Sequence, residues 1–401
     1  MTVDPVVICG GGPAGMMCGY LLARAGVPVT VLEKHQDFLR DFRGDTIHPS
    51  TLELLHELGI LEEFLARPHQ QVRYAEGELG DVRVRLADFT HLPTHCKFIA
   101  FMPQWDFLDF LAEQARALPA FTFRRATEAL EVVREGDRVT GVEVRSASGA
   151  ERLPARLVIA ADGRESVLRD RMGLAVHDLG APMDVLWFKL GSRPDDPPAV
   201  LGRVERGQVL VRLYRGDYWQ CALIIRKGTF DAVQREGLDA FRRRVGSLAR
   251  RDMVGDIESW DDVKLLTVKV DRLRHWAAPG ILFIGDAAHA MSPIGGVGIN
   301  LAIQDAVATA NLLAGPLRSR LPSLAELRSV QRRRWFPTWA TQTAQLVIQN
   351  WGIDPVLASG ATPKVPWIVA LLQRLPVLQR IPAKVIGVGF RAEHVRGGRG
   401  S

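Results

Sequence analysis

The residues best suited to chemistry lie between positions 284 and 300. An apolar run over residues 280–284 predicts a strand, and Gly285 and Asp286 follow at its end. A carboxylate in this place can accept hydrogen bonds from the hydroxyl groups of a polyol. We therefore predict that Asp286, with Gly285 beside it, anchors the polyol part of a bound cofactor.

A loop rich in glycine follows and leads into a long apolar helix that we expect to begin near Gly298. Its glycines let backbone N–H groups approach a flat, electron-rich ring, and a helix N-terminus favours negative charge that develops there. This geometry suits a redox cofactor. The loop contains Pro293, Gly295 and Gly296, and Gly298 and Asn300 after it are candidates for cofactor contacts.

A second glycine-rich turn lies between two predicted buried strands, residues 6–9 and 29–32. A helix with Gly26 at its end connects them. Three glycines match the G-x-G-x-x-G pattern that lets a pyrophosphate approach a helix N-terminus, namely Gly10, Gly12 and Gly15. Glu33 ends the second strand, where its carboxylate can bind ribose hydroxyls. The order of these elements predicts a dinucleotide site.

A third segment, residues 157–169, combines a predicted strand with an Asp-Gly turn at Asp162. Such a turn is common in ordinary loops. Together with the other two motifs, however, it resembles the para-hydroxybenzoate hydroxylase-like, or class A, FAD-dependent aromatic monooxygenases. The resemblance implies that Asp162 lies near the FAD pyrophosphate and near the path of the nicotinamide cofactor. It also implies that residues 284–300 hold the ribitol chain and the flavin ring, with Pro293, Gly295 and Gly296 at the place of reaction.

The resemblance adds three further cofactor candidates. The family has an arginine that contacts flavin and NADPH before the predicted helix 50–58, which points to Arg43. Gln104 occupies a position where the family has Arg or Gln at the cofactor, although a solvated residue at a helix start would look the same. The edge strand near Thr127 and Ala129 would present its backbone to the adenine.

The order of the motifs requires a discontinuous cofactor domain. The resemblance implies an α/β, glutathione-reductase-type (Rossmann-like) FAD-binding fold with an inserted mixed β-sheet substrate domain and a helical C-terminal part. We predict an FAD-binding domain from residues 1–69, 101–174 and 276–350, a substrate-binding sheet from residues 70–100 and 175–275, and a C-terminal helical segment, 351–401. No second G-x-G-x-x-G follows a strand, so we expect no separate NADPH domain.

Residues 208–214 alternate with a period of two, which predicts a strand with two different faces. One face carries Val209, Val211 and Leu213, and the other carries Gln208, Leu210, Arg212 and Tyr214. In the family such a sheet roofs the substrate pocket. Arg212, Tyr214 and, from the next strand, Trp219 are therefore candidates for lining it, although an exposed strand face would show the same pattern.

The charge of the chain does not indicate a nucleic-acid partner. The formal net charge is +6, but the 51 basic residues are scattered and lack interleaved aromatic residues. We interpret the clusters Arg242–Arg244 and Arg332–Arg334 as solvated helix faces. A modest positive field would still attract anionic NAD(P)H and acidic aromatic substrates.

The four cysteines show neither C-x-x-C pairing nor metal-ligand spacing, so we predict no metal site. We see no signal peptide and no apolar run near the ~20 residues of a membrane span, and we expect a cytoplasmic monomer or homodimer. An amphipathic, proline-broken tail begins at Pro366 and could touch a membrane surface. We favour packing on the core or over the substrate pocket instead.

The sequence offers no Ser/His/Asp arrangement or carboxylate pair for hydrolysis, and we interpret His289 as a structural hydrogen-bonding residue. The resemblance implies that NAD(P)H reduces non-covalent FAD and that O2 forms a flavin C4a-hydroperoxide, which hydroxylates an aromatic or polycyclic small molecule. Three alternatives remain open. They are an FAD-dependent reductase or dehydrogenase of the same fold, a membrane-associated ubiquinone-biosynthesis-type hydroxylase, and a flavoprotein without catalytic activity.

Overall fold

The computed structural model describes residues 4–38, 46–194, 202–251, 254–361 and 364–396. The strands are β1 (Val6–Cys9), β2 (Val29–Leu32), β3 (Thr46–Ile47), β4 (Gln70–Val72), β5 (Tyr74–Leu79), β6 (Val82–Asp88), β7 (Ile99–Phe101), β8 (Phe121–Arg124), β9 (Glu128–Glu135), β10 (Arg138–Ser146), β11 (Gly149–Pro154), β12 (Leu157–Ala160), β13 (Val176–Asp178), β14 (Met183–Gly191), β15 (Gly202–Glu205), β16 (Gln208–Tyr214), β17 (Tyr218–Arg226), β18 (Lys264–Leu266), β19 (Asp271–Leu273), β20 (Ala277–Ala278) and β21 (Ile281–Phe283).

The α-helices are α1 (Pro13–Arg24), α2 (Pro49–Glu57), α3 (Leu61–Leu65), α4 (Gln104–Arg116), α5 (Val167–Arg171), α6 (Phe230–Arg235), α7 (Leu238–Ala249), α8 (Gly298–Ser319), α9 (Leu324–Ile348), α10 (Asp354–Ser359), α11 (Trp367–Arg374) and α12 (Arg380–Gly387). A π-helical turn, Gln349–Ile353, follows α9, and a 3-10 turn, Pro376–Gln379, joins α11 to α12.

The cofactor domain is built on a six-stranded sheet with the order β20-β21-β12-β1-β2-β8. All neighbouring pairs are parallel except β20–β21. Strands β1 and β12 are buried along their whole length, which explains their uninterrupted apolar sequences. Because β1, β12 and β21 are parallel neighbours, their carboxyl ends lie side by side, and the three predicted motifs follow those ends.

Helices α1 and α8 pack against each other beside this sheet. Glycine also lets α1 approach the turn before it, since a β carbon on Gly15 would lie 1.9 Å from the carbonyl oxygen of Gly10. Residues Ile294–Ser319, which include α8, are long and apolar enough to cross a membrane by length and composition alone. However, 72% of the most apolar window in this stretch is buried inside the protein, as is usual for a core helix.

The second large sheet has seven strands in the order β18-β14-β17-β16-β15-β5-β6. Its pairs are antiparallel except for the parallel pair β5–β15, so the sheet is mixed, as expected. One face packs against α6 and α7, with Phe188 and Leu210 contacting Phe241 and its neighbours. The segment predicted as sheet from 175 to 275 therefore also contains two helices, which our strand-based interpretation did not include.

A small third sheet joins the predicted domains. Strand β7 pairs with β3 on one side and with β4 on the other, so residues 46–47, 70–72 and 99–101 form one unit. These strands lie at the predicted boundaries near residues 70 and 100. The domain division stays a prediction, and the two ends of the insertion are held together by this pairing.

A group of buried charges connects α8, α9 and the segment after α12. The Asp305 carboxylate has no exposed surface, and it lies 2.6 Å from Nε2 of His289 and accepts a hydrogen bond from Nε of Arg334 at 2.9 Å. Arg334 also lies 3.5 Å from Glu393. The prediction that Arg332–Arg334 is a solvated face is wrong at Arg334, which is buried with two carboxylates, Asp305 and Glu393, that compensate its desolvation. The position of His289 agrees with a structural role.

Asp305→Ala should destabilise the protein by about 3–5 kcal/mol, because it leaves Arg334 buried without its main partner. Burial alone would raise the pKa of Asp305, but His289 and Arg334 hold it below its usual value. A lowered folded-state pKa stabilises the protein above the ordinary aspartate range, and this contribution is lost as the pH falls through the folded-state pKa. Urea unfolding at neutral and acidic pH measures both effects.

Glu143→Ala is the matched control, since it removes the exposed ion pair with Arg152. It should change the free energy of unfolding far less. Equal losses for the two variants would contradict the assignment of Asp305.

Candidate functional site

The three predicted motifs meet at the carboxyl ends of β1, β12 and β21. A β carbon on Gly10 would lie 2.2 Å from the carbonyl oxygen of Ala161, so the first motif touches the second. A β carbon on Gly285 would lie 3.0 Å from Cβ of Ala14, so the third motif touches the helix that follows the first. Segments separated by more than a hundred residues therefore form one site.

Gly12 differs from its neighbouring glycines. It is the N-cap of α1 in an ordinary extended conformation, and no side chain caps this helix end. A β carbon there would meet no protein atom within 4 Å, whereas one on Gly10 or Gly15 would clash. Open space beside an uncapped helix N-terminus is what a pyrophosphate group requires.

Glu33 lies above the same turn with 2% of its surface exposed. Its Oε2 accepts a hydrogen bond from the N–H of Gly11 at 3.1 Å, and its Oε1 accepts one from His35 at 3.0 Å. The carboxylate thus lies at the end of β2 beside the glycine turn, the position predicted for binding of a ribose hydroxyl. The backbone of Thr127 bonds to the carbonyl of Glu33 at 2.9 Å, which places the start of β9, with Ala129, beside this acid.

Asp162 holds the turn that follows β12. Its carboxylate accepts hydrogen bonds from Oγ of Ser166 at 2.6 Å and from the N–H of Leu168 at 3.2 Å. Burial raises the pKa of Asp162, and these bonds oppose that shift in part. Arg169, whose N–H is capped by Ser166, donates a hydrogen bond to the carbonyl of Arg164 at 2.7 Å. Asp162 thus organises the turn from which Arg164 extends.

Arg164 connects the second and third motifs. Its Nε and Nη2 lie 3.3 and 3.1 Å from Oδ2 of Asp286, across 122 residues of sequence. Both groups are largely but not fully buried, with 21% and 28% of the side chains exposed. Both contacts use one oxygen of Asp286, so Oδ1 can accept a hydrogen bond from a polyol. Our sequence analysis did not select Arg164, although it stands two residues after Asp162.

The loop before α8 contains two glycines with left-handed backbone angles, Gly295 at φ +75° and Gly296 at φ +63°. A β carbon on Gly296 would lie 2.2 Å from Oγ1 of Thr46, so this glycine is required by protein packing. On Gly295 the nearest atom would be Cγ1 of Val297 at 3.7 Å. Gly295 therefore faces space that a ligand could use, and the carbonyl of Pro293 accepts the N–H of Gly296 at 3.0 Å.

Asn300 has a different role from the predicted one. Its Oδ1 accepts hydrogen bonds from the N–H of His48 at 2.9 Å and from Oγ1 of Thr51 at 2.7 Å. Its Nδ2 donates to the carbonyls of Thr46 and Gly296 at 3.2 and 3.3 Å. Because these four bonds use the hydrogen-bonding capacity of the amide, its side chain positions the loop rather than contacting a cofactor.

A row of buried glutamines on α9 and the following turn holds the other side of the loop. They follow one another at helical spacing, which was a signal that our sequence analysis missed. Their amide nitrogens donate to Ala290, Ser292 and Ile294 at 2.6–2.9 Å, and the donors are Gln342, Gln345 and Gln349. Neutral amides therefore fix the loop carbonyls.

The structure gives less support to three other cofactor candidates. Arg43 lies outside the described residues. Gln104 is the first residue of α4 and is half-buried. Gly298 begins α8, and a β carbon there would make only an ordinary contact, 3.9 Å from Cγ of Met291. Arg43 and Gln104 stay predictions.

The substrate candidates lie on the opposite side of the sheet from the loop. The guanidinium of Arg212 stands 5.1 Å from the ring centre of Trp219, and the rings of Tyr214 and Trp219 are 5.0 Å apart. Trp219 belongs to the apolar cluster formed with Phe241 of α7. The face that carries these residues is thus covered by α7, and their place in the substrate pocket stays a prediction. Alternation revealed two faces but not which face α7 covers.

The face opposite α7 meets the loop. Ile294 packs against Met183, Val209 and Ile224 of the seven-stranded sheet. Further along the same face, Trp187 and Val211 contact both the cluster around Val185 and the cluster that contains Phe101. The chain thus has an apolar surface facing the loop. Among the described residues, no group of His, Cys, Asp and Glu could hold a metal ion.

Comparison with known proteins agrees with this geometry. The profile of the family described as FAD binding domain matches residues 4–339. The chain is 31% identical to 6-methylpretetramide 4-monooxygenase of Streptomyces rimosus over 95% of this chain and 91% of the relative. It is 28% identical to dialkyldecalin synthase of Streptomyces rugosporus, over 80% of this chain and 67% of the relative.

The fold matches that of solved structures as well. The structure of p-nitrophenol 4-monooxygenase from Pseudomonas putida DLL-E4 superposes with a TM-score of 0.77 over 95% of this chain and 96% of that one. The sequence identity is 21%, so this likeness concerns the fold alone. The glycine turn, the Asp-Gly turn and the loop before α8 all lie within the range matched by the FAD-binding profile.

Gly12→Ala should fold normally but bind FAD at least about tenfold more weakly, a loss of about 1.4 kcal/mol, because the methyl group would occupy the open space at the N-terminus of α1. Titration of the apoprotein with FAD measures the effect. Gly255→Ala is a matched control, since that glycine also has open surroundings and no left-handed backbone. Unchanged FAD affinity in Gly12→Ala would remove Gly12 from the site.

Proposed function

Because the chain belongs to the FAD binding domain family and resembles its class A aromatic monooxygenases, we propose that it uses NAD(P)H and O2 to hydroxylate an aromatic or polycyclic small molecule. The observation that carries the proposal is the meeting of three motifs beside open space at Gly12 and Gly295. One of the relatives described above is named 6-methylpretetramide 4-monooxygenase, which supports this proposal.

The residues at this site fit FAD. The N-terminus of α1 at Gly12 would hold the pyrophosphate, Glu33 the adenosine ribose, and Asp286 the ribitol chain, with Arg164 fixing the orientation of Asp286. Residues 293–298 would lie along the ring. When bound, FAD supplies electron transfer from NAD(P)H and the activation of O2.

The protein positions the loop beside the proposed flavin ring and shields that region from water. Asn300, Gln342 and Gln345 hold loop carbonyls, and Gln349 holds the hydroxyl group of Ser292. The backbone at Pro293, Gly295 and Gly296 therefore keeps one geometry. N–H groups fixed in this way can stabilise negative charge without reorganising. The apolar face of the seven-stranded sheet excludes water from the same region. We assign no protein acid or base to the reaction.

Trp187 and Val211 are our substrate candidates in place of the residues that face α7. Trp187 lies on the face that meets the loop, and its Nε1 is buried without a hydrogen-bond partner among the described residues. A buried donor without a partner is costly. An oxygen atom on an aromatic substrate would satisfy it, which supports an oxygenated ring as the substrate class.

The remaining assignments complete the proposal. Arg43 and Gln104 are proposed to contact FAD or NAD(P)H, and the protein is proposed to act in the cytoplasm as a monomer or homodimer. A screen of phenolic and polycyclic compounds for stimulated NAD(P)H oxidation tests the function, with isotopically labelled O2 to follow the oxygen atom. Stimulated oxidation without label in the product would identify a reductase or dehydrogenase instead.

Gly295→Val should keep FAD bound and reducible but should lower product formation and release H2O2, because the side chain enters the space beside the loop. Reduction by NAD(P)H, product and H2O2 are measured on the same samples. Gly26→Val is the control for backbone strain, since Gly26 has φ +79° and open surroundings at the far end of α1. If Gly295→Val formed as much product per NAD(P)H oxidised as the wild type does, the reaction would not take place beside this loop.

Trp187→Phe should lower kcat/KM for the hydroxylated substrate about three- to tenfold, the scale of one hydrogen bond, and should leave FAD affinity unchanged. Trp219→Phe makes the same chemical change on the face that α7 covers. It should affect stability more than kcat/KM. If Trp219→Phe lowered kcat/KM more than Trp187→Phe does, the substrate would bind on the face that carries Trp219.

A further inference from the structure

The C-terminal helices expose an unusually apolar surface. Six of the eight residues of α11 are apolar, yet none of its residues is buried. We define the C-terminal apolar surface by six side chains with exposed fractions of 37–76%, namely Trp367, Ile368, Leu371, Leu375, Val377 and Ile381. Helices of globular proteins normally turn such residues inward, and contiguous exposed patches mark interaction sites.

The surface is exposed although its helices are firmly attached. Gln373 exchanges two hydrogen bonds with the backbone of Arg85, at 3.0 and 2.8 Å. On α12, Ala383 is buried and a β carbon on Gly387 would lie 2.8 Å from Cδ1 of Leu92. The helix α11 is thus fastened through a polar residue while its apolar residues face outward. Exposed apolar side chains on a firmly attached helix indicate a binding surface.

The segment that carries the C-terminal apolar surface has charges of one sign. Residues 364–392 contain no Asp or Glu. They contain five basic residues, all exposed, namely Lys364, Arg374, Arg380, Lys384 and Arg391. Elsewhere in the chain acidic and basic residues are interspersed, with 45 acidic against 51 basic residues overall. A basic region without acids would repel an identical copy of itself in a symmetric dimer.

We propose that the C-terminal apolar surface binds peripherally to an anionic lipid bilayer. Tryptophan is favoured at the boundary between lipid and water, and Lys and Arg beside it attract anionic headgroups. Trp367 is the most exposed residue of the surface, and Arg374, Arg380 and Lys384 follow on the same helical segment. The proposal is independent of the proposed redox activity, and it can be tested without a substrate.

The test is co-sedimentation of the full-length protein with vesicles. Phosphatidylcholine vesicles alone should bind little protein, whereas vesicles that also contain phosphatidylglycerol should bind it, and salt should weaken this binding. Arg374→Glu/Arg380→Glu/Lys384→Glu should reduce binding by more than tenfold, because each basic residue near an anionic surface contributes about fivefold. Trp367→Ser/Ile368→Ser/Val377→Ser should reduce binding to both vesicle types.

Two control variants make the same kinds of change elsewhere, at two positions each. Arg116→Glu/Arg243→Glu changes exposed charge on other helices, and Val176→Ser/Leu321→Ser removes exposed apolar side chains. Both should bind vesicles as the wild type does. Thermal unfolding of every variant confirms that the fold is retained.

Three outcomes would overturn the proposal. These are no binding to anionic vesicles, equal loss of binding in the controls, and vesicle binding that the charge reversal leaves unchanged. Light scattering over a range of protein concentrations serves as the final check. If the Trp367→Ser/Ile368→Ser/Val377→Ser variant abolishes a dimer that the wild type forms, and vesicles bind neither protein, the surface is an interface between two copies.

Discussion

One buried carboxylate holds the turn that carries Asp286. Oδ2 of Asp305 accepts the N–H of Gly285 at 3.1 Å and lies 2.6 Å from His289, and Oδ1 accepts Arg334 at 2.9 Å. The Gly-Asp turn is therefore tied to α8 and α9 by charge-assisted bonds rather than by its own sequence alone. A charge cluster without solvent contact tolerates few geometries, so it fixes the position of the turn.

The loop that follows is held by neutral groups instead. Amides of Asn300, Gln342 and Gln345 bind loop carbonyls, since their three nitrogen atoms donate four hydrogen bonds to main-chain oxygens. Charged side chains in the same positions would impose a strong field beside the cofactor ring. Neutral amides can anchor the loop backbone without imposing such a field. This suits the proposed position of the flavin ring, where the charge changes during the reaction.

Glycines serve two distinct purposes in this site. Gly10, Gly15 and Gly296 are required because other protein atoms lie where a β carbon would be. Gly12 has open surroundings and an ordinary extended backbone, so no protein contact explains it, whereas Gly295 has open surroundings and a left-handed φ of +75° that itself favours glycine. The sequence pattern alone treats these glycines as equivalent. The difference separates glycines that let the chain pack from those that leave room for a ligand.

The sequence by itself determined the local elements of the cofactor site. Strand β1, helix α1 and strand β2 follow from apolar runs, a glycine turn and an acid, all within 33 residues, and the structure has β1 and β2 at the predicted bounds. These strands, the helix and the turn depend on residues that are close together in the sequence, so the sequence predicts them. The family resemblance then supplied the fold and the cofactor.

Only the tertiary structure decided which distant residues meet. Arg164 reaches Asp286 across 122 residues, Asn300 bonds to the segment before α2, and Arg334 is buried rather than solvated. Alternation in β16 predicted two faces correctly, but α7 covers the face with Arg212 and Tyr214. A period of two is set by local backbone geometry. Which face becomes the pocket is set by helices that pack from elsewhere in the chain.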